Sequence, residues 1–136
     1  MNITNFDDLL TAARLQIEPQ RLLLVFAGVE LPDDCTAEQR EGFEAGNGGA
    51  MVPLMCTDKL PGELFDFAAL VAESSLFELG RDWRLVFAAA LSGSPSRAPS
   101  SEDAAAALQR MVEAIRCGER GQFIPFDRQG QPVRMR

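Results

Sequence analysis

The chain has 136 residues, 46% apolar and 24% charged, the balance of one globular domain with a sizeable core rather than a disordered segment. Thirteen bases against 20 acids give a formal net charge of −7, which disfavours nucleic-acid binding through a general basic surface. Histidine and tyrosine are both missing, which removes Ser/His/Asp and Cys/His catalysis, imidazole acid–base chemistry and the usual His-containing zinc sites.

The first predicted helix opens at Thr4 or Asn5 as N-cap. Phe6, Leu9, Leu10, Ala13 and Ile17 form its apolar stripe, and Pro19 stops it. Leu22 to Ala27 is apolar on both faces and too short for a favoured helix, as expected of an interior strand covered on both sides. An acidic loop through Asp33 and Asp34 follows, and then Thr36-x-x-Gln39 resembles a capping box for a short helix ending near Gly46. Ala50 to Cys56 reads as a second strand, and Pro53, which cannot donate to a ladder, assigns it to an edge or a bulge.

Pro61 suits the first turn of a third helix, with Leu64, Phe67, Ala68 and Val71 inward and Gly80 at its end. Trp83 to Leu91 is another continuous apolar strand. A serine- and proline-rich loop, Ser92 to Pro99, leads to Ser100 and Asp103, which cap a fourth helix striped by Ala104, Leu108, Met111, Val112 and Ile115 and ended by Gly118. Gln122 to Phe126 is predicted as a strand, turned by Arg128-Gln129-Gly130 into a final strand from Pro132 to Met135. This order predicts one α/β or α+β domain: a mixed sheet of about five strands with packed helices and a C-terminal hairpin over 122–136.

The order contains a repeat. Phe6-x-x-Leu9-Leu10 matches Phe67-x-x-Leu70-Val71, and Val25-Phe26-Ala27 matches Val86-Phe87-Ala88, both at an offset of 61 residues. The expectation is two α-β-α-β units, 1–59 and 60–128, about a pseudo-two-fold axis. Their charges differ, since residues 1–68 carry −8 and residues 69–136 carry +1.

Cys35, Cys56 and Cys117 are odd in number, widely spaced and without a C-x-x-C pair, which reads as reduced thiols. The N-terminus lacks the basic start and apolar stretch of a secretory signal, and no run approaches membrane length, so a cytoplasmic protein without membrane or nucleic-acid partners is expected.

Candidate ligand residues cluster first on the Ser94–Ser101 loop. Arg97, Ser100 and Ser101 there meet a helix start, where free N–H groups and the dipole favour an anion. Asp58 and Asp127, each following a proline-containing strand, are equivalent in the two units and stand as a carboxylate pair for acid–base work or as caps of their turns. Cys56 lies beside Asp58 and Lys59 but has no histidine to activate it. From Arg116 onward there are 5 bases and 2 acids, which marks Arg120, Arg128 and Arg134 as a surface for an acidic partner or a second copy. No catalytic set, cofactor motif or metal set emerges.

The segments Arg21–Gly28, Gly49–Cys56, Trp83 with Val86–Gly93, and Pro125–Val133 together resemble a family of small proteobacterial proteins that often carry the label ribonucleotide reductase subunit alpha. The resemblance spans nearly the whole chain but brings no catalytic residues with it. The V-P-x-x-x-T-D strand end from Val52 to Asp58 is also similar to the SseB-like N-terminal domain. Together these observations favour a noncatalytic interaction module binding a protein partner or a second copy; the alternative is a small enzyme or sensor for an anionic metabolite at the Ser94–Ser101 loop.

Overall fold

A computed structural model describes residues 3–30, 37–38, 41, 50–76, 83–119 and 122–133. Its elements are α1 (Phe6–Arg14), β1 (Gln20–Glu30), β2 (Ala50–Lys59), a 3-10 turn (Pro61–Glu63), α2 (Phe67–Ser75), β3 (Leu85–Ser92), α3 (Ser101–Arg116) and β4 (Ile124–Phe126). The strands form one sheet in the order β2-β1-β3-β4, every neighbouring pair antiparallel. The fold is thus α+β.

The doubly apolar run of β1 is the reason for the layering. Leu22, Leu24 and Phe26 point to one face, where Phe6, Leu10, Phe67, Leu70, Trp83 and Phe126 pack on them. Leu23, Val25 and Ala27 point to the other, against Phe87 and the Ala104, Leu108, Met111 and Ile115 stripe of α3. With period-two alternation, only a strand covered on both sides can bury both sets. Pro53 stands in β2, an edge of the sheet among the described residues, beside a bulge where the register slips between Phe26 and Ala27.

Several expectations need correction. The described sheet has four strands in wholly antiparallel rather than mixed pairing; among the described residues the chain after Gly130 meets β4 at the bridge between Phe126 and Pro132, and the predicted final strand from Pro132 to Met135 runs on outside them. α1 ends at Arg14 with Leu15 as C-cap, so Ile17 leaves the inner stripe and is 92% exposed. Pro61 opens a separate 3-10 turn, while α2 starts later at Phe67, because Asp66 accepts the Ala69 N–H at 2.9 Å and fixes the N-cap there. Leu64 is buried outside the helix and Ala68 is exposed on it. Of the predicted helix over Thr36–Gly46 only Ala37, Glu38 and Glu41 are described, each helical, and the helix end at Gly80 lies outside the described residues.

α3 has the predicted caps. The Ser100 hydroxyl accepts the Asp103 N–H at 3.1 Å, the Asp103 carboxylate accepts the Ser100 N–H at 3.1 Å, and Gly118 turns the chain away at φ +85°. At Gly130, φ is +80° and a β-carbon would come within 3.1 Å of the Phe67 ring, so glycine alone suits this turn. Its carbonyl accepts the Phe6 N–H at 2.8 Å, tying the start of α1 to the far end of the chain.

α1 and α2 are alike in detail. Each has nine residues, an Asx N-cap at Asn5 or Asp66 and a leucine C-cap at Leu15 or Leu76, all separated by 61 positions. Phe6 and Phe67 meet with ring centroids 5.0 Å apart. The matched strand segments differ: Val25 and Phe87 face α3, whereas Phe26 and Val86 face α1 and α2.

Candidate functional site

Three of the predicted ligand residues meet at the corner where β1 begins, β2 ends and α3 begins. Register places Asp58 opposite Leu23, on the α3 face that Arg21 also shares by alternation. The Arg21 guanidinium pairs with the Asp58 carboxylate at 2.5 Å, and its Nε donates to the Pro99 carbonyl at 2.7 Å. The Ser101 hydroxyl donates to the same carboxylate at 3.4 Å, and Ser100 caps the helix. Arg21 thereby clamps two strands to the loop that feeds α3.

Arg97 lies at the end of a tight turn in which Ser94 and Arg97 exchange backbone hydrogen bonds of 3.0 and 3.2 Å. Gly93 makes the turn fit, since a β-carbon there would stand 2.1 Å from the Arg97 carbonyl oxygen. Beside it is an open depression of about 520 Å³ lined by Ser92, Ser94, Arg97, Ser100, Glu102 and Asp103. Its two carboxylates oppose an anion. Asp103 is held below the ordinary carboxyl range by the Ser100 N–H and hydroxyl, with a smaller contribution from Arg97. The geometry is that of a well-made helix cap.

Asp58 and Asp127 do not come together. Asp58 lies near the end of β2 and Asp127 follows β4, with β1 and β3 between these strands, a separation of at least about 14 Å at ordinary strand spacing. Asp127 instead caps its own turn, accepting the Gln129 and Gln131 N–H groups at 2.9 and 3.0 Å. Arg128 lies 4.4 Å above the Trp83 ring and donates to the Trp83 carbonyl at 3.0 Å. Arg120 and Arg134 lie outside the described residues. Cys56 and Cys117 are free, exposed thiols. Among the described residues no three His, Cys, Asp or Glu side chains group as metal ligands, and no helix is long and apolar enough to cross a membrane.

A different surface stands out, one the sequence reading assigns partly to the core. Leu15 (67%), Ile17 (92%) and Phe65 (83%) are large apolar side chains left in water. Arg14 joins their two segments, donating to the carbonyls of Leu64 at 2.7 Å and of Pro61 and Phe65 at 3.3 and 3.5 Å. Glu18 and Glu63 flank the group in sequence. Phe65 carries no sequence signal of exposure, and Ile17 falls on the helical stripe; only the early end of α1 turns it outward. Arg21 is likewise missed, although its parity with Leu23 and Val25 is a readable cue.

No known protein family, curated protein or solved structure matches the chain.

Proposed function

We propose that this chain is a noncatalytic protein-binding module whose contact surface is the apolar platform of Leu15, Ile17 and Phe65. The observation that carries the proposal is the way Arg14 ties this platform together: three exposed anchors are held on two segments by one side chain bonded to three carbonyls. Pre-positioned apolar anchors within a polar rim are what energetically dominant interface residues require. Glu18 and Glu63, next in sequence to the anchors, and a net charge of −7 favour a partner carrying bases around its own apolar anchor over a second copy of this acidic chain. The basic C-terminal stretch of Arg120, Arg128 and Arg134 belongs to the proposal as a second contact.

The test places a photo-crosslinking residue at Ile17 in cells and measures self-association of the pure protein by sedimentation. A discrete heterologous adduct, lost with Phe65→Asp, is expected. A dimer abolished by Phe65→Asp would replace the partner with a second copy. A strict monomer without a Phe65-dependent adduct would overturn the reading.

Cytoplasmic residence is part of the same proposal and rests on the two exposed free thiols. So is kinship with the small proteobacterial proteins, which rests on the shared motifs alone. Internal duplication is proposed with one amendment. A dyad relating adjacent antiparallel strands keeps each side chain on its own face, so the strands are equivalent at an offset of 60 or 62 where the helices keep 61. The equal helices, their matching caps and the symmetric strand order support it.

A further inference from the structure

Between β2 and α2 lies a cleft of about 280 Å³. Register puts Met55 opposite Phe26 and Thr57 opposite Leu24, on the face that α1 and α2 cover. Leu70, Glu73 and Ser74 of α2 form the other wall, and Phe26 and Leu70 are buried within it. The space has a sequence cause. β1 fills this face with Leu22, Leu24 and Phe26, but β2 offers only threonine opposite Leu24, and α2 contributes the small Ser74. The Ser74 hydroxyl is committed elsewhere, donating to the Val71 carbonyl at 2.6 Å and accepting the Trp83 indole N–H at 2.9 Å. Small side chains in a layer of large ones leave volume unfilled.

Few polar groups reach the cleft. Glu73 is held by the Lys59 ammonium at 2.7 Å, so this pair adds no net charge. The Thr57 hydroxyl has no bonding partner among the described residues.

We propose that this cleft binds a small uncharged aromatic molecule carrying one hydrogen-bonding group, with Thr57 as the polar contact and Phe26, Met55 and Leu70 as the apolar one. The size follows by comparison: an apolar protein cavity of about 150 Å³ takes up benzene, so this one has room for two fused rings. Apolar walls and a neutralised ion pair penalise a charged ligand, which would lose its hydration without gaining a counter-charge. A threonine hydroxyl both donates and accepts, which suits a ring N–H or O–H. The site is independent of the Leu15–Phe65 platform.

Indole is the probe, titrated into the full chain while amide and methyl NMR signals are followed. Saturable shifts at Met55, Thr57, Leu70 and Ser74 are expected. Thr57→Val should weaken binding about two- to tenfold, the worth of one ordinary hydrogen bond. Met55→Trp, at a half-buried position, should fill the cleft and abolish the shifts while the spectrum stays dispersed. Indole-3-acetate should bind at least about tenfold more weakly, because its carboxylate meets no counter-charge. Absence of saturable shifts at these residues up to the solubility of indole, or shifts that persist in Met55→Trp, would overturn the site. Equal binding of the acetate would overturn the preference for an uncharged ligand, and an unchanged affinity in Thr57→Val would remove the polar contact.

Discussion

The two faces of the sheet are covered in opposite ways. On one, α1 and α2 are nine residues each, about 14 Å long, against a strand of 11 residues. Neither spans the sheet, and a relay of rings fills the gap: Phe6 to Phe126 at 5.3 Å, Phe6 to Phe67 at 5.0 Å and Phe26 to Trp83 at 5.0 Å. On the other, a single 16-residue helix of about 24 Å lies across the strands on Ala104, Ala107, Leu108, Met111 and Ile115. Alanine lets the α3 backbone approach closely, so mostly aliphatic side chains, with the buried ring of Phe87, fill this face. The aromatic face also needs polar locks, since the buried Trp83 satisfies its indole N–H on Ser74 and carries Arg128 over its ring. The short helices thereby border the cleft and the exposed apolar ends on which the proposed sites depend.

Four perturbations test that contrast. Trp83→Ala should cost the most, about 3–5 kcal/mol from volume alone, with the loss of the Ser74 and Arg128 contacts putting it at the upper end; chemical denaturation measures it. Met111→Ala on the α3 face should cost about 2–5 kcal/mol, and a larger loss there than for Trp83→Ala would reverse the ranking. Asp58→Asn, which unpairs the largely buried Arg21 where the two layers join, should cost about 1–2 kcal/mol, between exposed and fully buried pairs. Ser100→Ala should cost about 1 kcal/mol as a lost N-cap.

Acid should act on both faces alike. Asp8 on α1 is held below the ordinary carboxyl range by the Thr4 hydroxyl and N–H, as Asp103 on α3 is by Ser100. Depressed values in the folded state stabilise it above the ordinary carboxyl pKa, near 4, and that contribution disappears as pH falls through the lowered values. Part of the Ser100→Ala deficit should accordingly vanish below about pH 4 in urea titrations, and a deficit constant with pH would detach Asp103 from the cap.

The interior position of β1, the edge position of β2 and the caps of α3 were readable from residues 22–27, Pro53 and Ser100 with Asp103, because each depends on local chemistry: two-faced apolarity, a missing donor, a side chain three residues from its acceptor. The candidate site was less so. Asp58 and Ser101, both singled out in the sequence, meet, but Arg21, which ties Asp58 to the loop before α3, is 37 residues from Asp58 and 78 from Pro99. Asp127 looked equivalent to Asp58 until strand order separated them.

Composition had excluded histidine-based chemistry from the start, and periodicity had specified amphipathic helices over strands apolar on both faces. Strand direction was beyond its reach, since an antiparallel and a parallel neighbour bury the same side chains. So was the point where α1 stops: Ile17 lies on the same helical stripe as Phe6 and Ala13, and only the early end of the helix leaves it in water. Local preference sets which residues want burial, and the limited area of one sheet decides which of them obtain it.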